Sequence, residues 1–110
     1  MQKASSVVEQ VHIFFEPRSV AVVGASKKIT KAGHVIFKNF ADNKRRGIFK
    51  GELYPVNPHE NYILASKCYP SLKEIIGEVE LVVIVVPAEG VLQIMQEAAQ
   101  KHAKAAVIVI

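Results

Sequence analysis

The sequence predicts an α/β domain built on a parallel β-sheet with helices on both faces. Three observations support this fold class. Short apolar runs, typical of strands covered on both faces, recur along the chain. Segments in which apolar residues recur with helical spacing lie between these runs. Glycine, proline and polar residues mark the boundaries between the strand-like and the helix-like segments. Such alternation is characteristic of parallel sheets with right-handed crossovers.

The first half of the chain contains two predicted strands separated by a helix. Residues 6–15 form a short helix, because Ser6 and Glu9 have capping-box spacing. The apolar run Ser19–Val23 is the first strand, and Gly24 ends it. Apolar residues then recur with helical spacing over residues 32–43, and Glu52–Val56 is the second strand.

The second half repeats this pattern. Ser71 and Glu74 have capping-box spacing and predict a helix that starts within residues 70–74. Residues 81–86 are the most strongly apolar strand, residues 90–102 are a helix, and residues 105–110 begin a fourth strand. No helix follows this last strand. We therefore expect a sheet truncated at its C-terminus, as in the N-terminal part of a larger protein.

Length and composition exclude several classes of function. The 110 residues, half of them hydrophobic, suffice for one domain over residues 1–110. Cys68 is the only cysteine, which favours a reducing compartment. No apolar run approaches the ~20 residues that span a bilayer, so we expect a cytoplasmic protein without membrane contact. The net charge is +4, but the basic residues do not form a continuous stripe with interleaved aromatics. We therefore expect no nucleic-acid partner.

Ligands of open parallel sheets bind outside the carboxyl ends of the strands, and the loop after the first strand has the properties of a phosphate site. Gly24 lets the backbone approach an anion, and Ser26 offers a hydroxyl donor. Lys27 and Lys31 add positive charge, and Gly33 opens a helix whose free N–H groups attract anions. The alternative is that Gly24 only permits a turn and that the lysines are solvated.

The next two loops limit which nucleotide the site could bind. NAD-binding domains place an acid near the end of the second strand, whereas this strand is followed by Asn57, Pro58 and His59. These residues tolerate a phosphate on the ribose, although Asn-Pro can also be a simple turn. The third loop contains Val86, Pro87 and Ala88, across which a planar base or a pantetheine arm could lie. A plain strand-to-helix connection is the alternative there.

Five blocks of the sequence resemble the CoA-binding domain of NDP-forming acyl-CoA synthetases. This family comprises the ADP-forming acetate–CoA ligases and is related to the succinyl-CoA synthetase alpha subunit. The first block is FEPRSVAVVGAS at residues 15–26, and the second is GIFKGELYPVNP at residues 47–58. Residues 69–72, 81–88 and 105–110 are similar to the following three.

The resemblance implies a Rossmann-like domain that binds coenzyme A. The phosphates would be bordered by Gly24, Ala25, Ser26 and Lys27, with Gly33 opening the helix. Asn57 and Pro58 would lie near the adenosine, and the pantetheine arm would pass Val86, Pro87 and Ala88. Family members often carry a lysine where this sequence has His59, whose imidazole could still donate one hydrogen bond.

The resemblance also implies that this segment binds but does not catalyse. The family's reaction proceeds through an acyl phosphate and a phosphohistidine in a later domain, and none of the four histidines here matches that context. We predict no catalytic residue and no metal site, and we expect the remaining synthetase domains or subunits as partners. Two alternatives remain: a CoA-binding module that stands alone or is fused to an acetyltransferase, and an NAD-binding redox domain.

Overall fold

The structure is a computed structural model that describes residues 12–109, and its centre is a four-stranded parallel sheet. The strands are β1 (Ser19–Val23), β2 (Glu52–Val56), β3 (Tyr62–Ile63), β4 (Ser66–Lys67), β5 (Leu81–Ile84) and β6 (Ala105–Ile108). The main sheet has the order β2-β1-β5-β6, and β3 and β4 form a separate antiparallel hairpin. The helices are α1 (Ala32–Arg45) and α2 (Ala88–Gln100), and Leu72–Glu74 forms a single 3₁₀ turn.

The two central strands are buried along their whole length. All residues of β1 and β5 are buried, and Val22 lies opposite Pro55 on one side and Val83 on the other. Because successive side chains of a strand point to opposite faces, β1 contributes Val20 and Val22 to one hydrophobic cluster and Ala21 and Val23 to the other. Both faces of the sheet must therefore be covered, which explains the uninterrupted apolar runs.

Each face is covered by different elements. Phe37 of α1 and Ile63 and Cys68 of the hairpin segment are buried against the Val20–Val22 face. The opposite face is covered by Leu72 and Ile75 from the 3₁₀ segment, together with residues of α2. Thus α1 and α2 lie on opposite faces of the sheet, and the predicted α/β fold class with helices on both faces is confirmed.

The second crossover differs from the prediction. The helix expected to start within residues 70–74 is only the 3₁₀ turn Leu72–Glu74, and the Ser71 side chain makes no capping hydrogen bond. Ile75 already has extended backbone (φ −76°, ψ 122°), and Gly77 follows as a poor helix residue. The extended chain still buries Leu72, Ile75 and Val79. The capping-box spacing of Ser71 and Glu74 therefore marks a single turn here and not a longer helix.

The remaining boundaries shift by a few residues. The third predicted strand ends at Ile84 instead of residue 86, and α2 starts at Ala88 instead of residue 90. Residues 12–15 are helical, while the rest of the helix predicted for residues 6–15 and the final Ile110 lie outside the described residues. None of the described helices has the length and hydropathy needed to cross a membrane.

Candidate functional site

The loops that follow β1, β2 and β5 meet at the carboxyl edge of the sheet. The Gly24 amide donates to the Val56 carbonyl at 2.9 Å, and the Val85 amide donates to the Val23 carbonyl at 2.8 Å. The chain then leaves β1 towards α1 on one face and leaves β5 towards α2 on the other. A crevice opens between loops that diverge in this way, and it is the usual ligand position in such sheets.

Gly24 lies where no side chain can be placed. Its φ of +97° belongs to the left-handed region, and a Cβ there would lie 2.0 Å from the Val85 carbonyl oxygen. The same Cβ would lie 3.3 Å from Cγ1 of Val86. Gly24 therefore lets the first loop pack directly against the third, and leaves backbone rather than side chain at the centre of the crevice.

The first turn of α1 packs onto this loop through Gly33. A Cβ on Gly33 would lie 1.9 Å from the Gly24 carbonyl oxygen and 3.4 Å from the Ala25 Cα. His34, the next residue, is buried, and its Nδ1 donates a hydrogen bond of 2.8 Å to the Ser26 carbonyl. The glycines are nine positions apart in the sequence, yet they bring the helix end and the loop into contact as a compact phosphate-binding turn does.

The N-terminus of α1 is suited to an anion. No side chain caps it at Lys31, and its first turn contains no acidic residue. Ser26 Oγ accepts a hydrogen bond of 3.0 Å from the Lys28 amide, which holds the preceding turn. Lys27, Lys28 and Lys31 are all exposed. Uncapped N–H groups, the helix dipole and these lysines together favour a negatively charged ligand.

Asn57 joins the second loop to the first. Its Nδ2 donates to the Ala25 carbonyl at 2.8 Å, and its Oδ1 accepts from the His59 amide at 2.8 Å. A carbonyl needs a donor and an amide needs an acceptor, and the side-chain amide of Asn57 supplies both. The expected contact of Asn57 with adenosine stays a prediction, because both ends of its amide already hold the loops together.

The other residues of the second loop face solvent. Pro58 and His59 are exposed in the loop that follows β2. Glu60 is not among the predicted site residues, yet its Oε1 lies 3.4 Å from Lys27 Nζ in the first loop. No local signal marks this ion pair, because it joins loops more than thirty residues apart.

The third loop lies two residues earlier in the chain than predicted. Pro87 occupies the position before α2, and Ala88 is the first helical residue. Both are exposed, whereas Val86 is half-buried beside Gly24. The helix end therefore reaches the crevice, and a ligand that crosses this loop would meet a small, stiff surface.

Cys68 lies beneath the second loop. Its thiol is buried and donates to the Asn57 carbonyl, with the sulfur 3.6 Å from the oxygen. Burial raises the pKa of the Cys68 thiol, while the hydrogen bond to Asn57 lowers it in part. A buried thiol with a raised pKa is a poor nucleophile, so Cys68 supports the loop and does not act as a reactive group.

A cavity of about 710 Å³ lies at the opposite edge of the sheet. It adjoins Arg18 before β1 and Gly51 before β2, and it is also lined by Phe15, Phe40 and Ile48. Its volume is within the range of ordinary ligand pockets, but it lies at the amino ends of the strands. The converging loops, the glycine contacts and the lysines all lie at the carboxyl edge.

Comparison with known proteins identifies the family. Residues 18–110 match the family model described as "CoA binding domain". This chain is a CoA-binding domain. The match confirms the family resemblance seen in the sequence, and coenzyme A is the ligand of this domain class. Within the described residues, no group of three or more histidine, cysteine or acidic side chains could hold a metal ion.

The CoA-binding domain is similar to parts of larger enzymes. It is 48% identical over 95 residues to an ADP-forming acetate–CoA ligase II of Archaeoglobus fulgidus, covering 86% of this chain and 14% of that protein. It is 43% identical over 96 residues to the alpha subunit of the Pyrococcus furiosus enzyme, covering 87% of this chain and 20% of that subunit. The chain thus spans a fifth or less of these relatives' lengths.

A solved structure has the same fold. The acetyl-coenzyme A synthetase 1 of Ca. Korarchaeum cryptofilum, in complex with phosphate and ADP, aligns over 91% of this chain and 21% of its own, with a TM-score of 0.83 and 34% identity. The CoA-binding domain therefore shares both sequence and architecture with ADP-forming synthetases, which confirms the Rossmann-like fold.

Proposed function

We propose that this domain supplies the coenzyme A site of an ADP-forming acid–CoA ligase. In the reaction of such an enzyme, acyl-CoA, ADP and phosphate are converted into a carboxylate, free CoA and ATP. Phosphate attacks the thioester carbonyl, the carbon–sulfur bond breaks and CoA leaves as a thiol; the phosphoryl group of the resulting acyl phosphate then passes to ADP. This domain binds and orients the CoA that is released or consumed.

The approach of α1 to the first loop is the observation that carries this proposal. At both Gly24 and Gly33, a Cβ would overlap backbone at the carboxyl edge of the sheet. The N-terminus of α1 that packs there is uncapped and has exposed lysines beside it. In the proposed complex, the diphosphate lies against Ala25, Ser26 and Lys27, where the helix dipole and the backbone N–H groups stabilise it.

The other loops receive the two ends of the ligand. We place the adenosine beside Pro58 and His59, with the ribose phosphate towards Lys27 and Lys31. The half-buried Val86 and the exposed Pro87 and Ala88 border the pantetheine arm on its way across β5. Apolar and small residues suit that arm, because it carries two amides on an otherwise aliphatic chain and has no charge.

Chemistry on the acyl group belongs to other parts of the enzyme in this proposal. His34 is buried and bonded to the Ser26 carbonyl, and within residues 12–109 no histidine forms an ion pair with a carboxylate. A histidine that carries a phosphoryl group needs access to a phosphate donor and acceptor. The partners are therefore coenzyme A and further synthetase domains or subunits, in a cytoplasm that keeps Cys68 reduced.

Native mass spectrometry and calorimetry test the proposal. We expect CoA to bind to the full chain, more tightly than dephospho-CoA, and NADH to bind weakly or not at all. Ser26→Asp should weaken CoA binding about tenfold, because a carboxylate would face the diphosphate at short range. Asn39→Asp adds the same charge on the exposed flank of α1 and should leave binding unchanged. Tight NADH binding without CoA binding would contradict the proposal.

A further inference from the structure

The ion pair between Lys27 and Glu60 lies across the mouth of the proposed CoA site. Lys27 belongs to the loop after β1 and Glu60 to the loop after β2, and their charged atoms are 3.4 Å apart. The lysine side chain is 58% exposed, whereas the glutamate side chain is only 26% exposed. A largely shielded carboxylate therefore faces the lysine nearest to the predicted phosphates.

The backbone holds Glu60 in this position. Its amide donates to the Asn57 carbonyl at 3.4 Å, and the Asn57 side chain is in turn bonded to Ala25 of the first loop. These contacts fix the backbone of Glu60 and keep its side chain within reach of Lys27. Among the described residues, no other ion pair involves the lysines of the first loop, so Glu60 is the carboxylate that competes with a ligand for them.

We infer that Glu60 limits the affinity of the site for CoA by acting as an exchangeable counter-ion of Lys27. Without ligand, Lys27 pairs with Glu60. When CoA binds, Lys27 turns to the ribose phosphate, a monoester that carries more charge than a carboxylate and has three acceptor oxygens. The exchange subtracts the energy of the Lys27–Glu60 pair from the binding energy, and it speeds CoA release. This inference rests on the proposed function.

The opposite role is also chemically possible and gives the opposite result. In dinucleotide-binding domains, an acid near the end of the second strand accepts hydrogen bonds from the ribose hydroxyls. Glu60 lies four residues beyond Val56, the last residue of β2, and its carboxylate faces a lysine instead of the open crevice. A ribose-binding acid strengthens ligand binding, whereas a counter-ion of Lys27 weakens it. Removal of the Glu60 charge therefore distinguishes these two roles.

Calorimetric titration of the full chain with CoA, dephospho-CoA and pantetheine tests the inference. We expect Glu60→Gln to bind CoA about threefold to fivefold more tightly, the range for one partly exposed charge pair. The affinity for dephospho-CoA should increase less, and the affinity for pantetheine, which has no phosphate, should not change. The increase in CoA affinity should become smaller as the salt concentration rises. In a Lys27→Met background, Glu60→Gln should change CoA affinity less than about twofold.

Glu78→Gln is the matched control, because it removes the same charge from an exposed position before the amino end of β5. If Glu78→Gln increases the CoA affinity as much as Glu60→Gln does, the effect comes from net charge alone and the inference is wrong. If the unaltered chain binds CoA but Glu60→Gln binds it equally or more weakly, the counter-ion role is wrong while the proposed function stands. If the unaltered chain does not bind CoA, both are wrong.

Discussion

Replacement of Gly33 by alanine separates local helix propensity from the packing that forms the site. Gly33 has ordinary helical backbone near the start of α1, so an alanine there should stabilise the isolated helix by about 0.5–1 kcal/mol. In the folded domain, the new Cβ would lie 1.9 Å from the Gly24 carbonyl oxygen and 2.8 Å from its carbon. Helix propensity therefore predicts a more stable domain, whereas the steric overlap predicts a less stable one.

The structure indicates that the overlap dominates. Ordinary contacts of a Cβ begin near 3.4 Å, so α1 and the loop must separate by roughly 1.5 Å, and no side-chain rotation can relieve a clash with backbone. Overpacking of this kind costs about 1–3 kcal/mol. With the upper value and the propensity gain subtracted, we expect a net loss of about 2 kcal/mol, which lowers the Tm of a domain of this size by about 8–16 °C.

Thermal unfolding and CoA titration of the full chain measure both consequences. Gly33→Ala should unfold earlier and bind CoA at least about tenfold more weakly, because the N–H groups of α1 move away from the diphosphate. Gly90→Ala is the matched control in the first turn of α2, where the new Cβ would make only ordinary contacts with Val86 at 3.4 Å and beyond. It should be neutral or slightly stabilising. A Gly33→Ala variant with unchanged Tm and unchanged CoA affinity would refute the reasoning.

Two further predictions concern the second loop. Asn57→Asp should destabilise the domain by about 1–3 kcal/mol and weaken CoA binding, because a carboxylate cannot donate to the Ala25 carbonyl and is left facing it; Asn39→Asp is the control, and equal effects of the two would contradict the role of Asn57. Burial raises the pKa of the Cys68 thiol, so its stabilising contribution is complete below the ordinary thiol value of about 8.5 and is lost as the pH rises through the folded pKa. The free energy of unfolding should therefore fall more steeply above this pH in the unaltered chain than in Cys68→Ser, and parallel pH profiles would show that the thiol does not titrate differently in the two states.

The sequence contains a strong signal for the sheet and its two long helices. Apolar runs in β1 and β5 predict strands covered on both faces, and the structure buries every residue of both. The hairpin of β3 and β4 was missed because its turn residues, Leu64 and Ala65, have φ values of 48° and 65°. Such turns are normally marked by Asn-Gly or Asp-Gly, and tertiary packing imposes this one on residues that do not favour it.

The site was predictable in outline but not in its internal contacts. Gly24 and the following lysines indicated an anion site from local chemistry alone. The packing of Gly33 on Gly24 and the pairing of Glu60 with Lys27 depend on which loops the topology brings together. The Asn57–Ala25 hydrogen bond is of the same kind. Short motifs describe residues adjacent in the chain, whereas these contacts join separate strand ends.

The position of CoA on the sheet is the central claim, and an NMR titration of the ¹⁵N-labelled chain with CoA tests it most directly. We predict that the largest amide shifts occur at Gly24, Ser26 and Gly33 at the carboxyl edge. The amides of Arg18 and Gly51, beside the 710 Å³ cavity at the opposite edge, should not move. Shifts centred on Arg18 and Gly51, with Gly24 and Gly33 unchanged, would contradict the account.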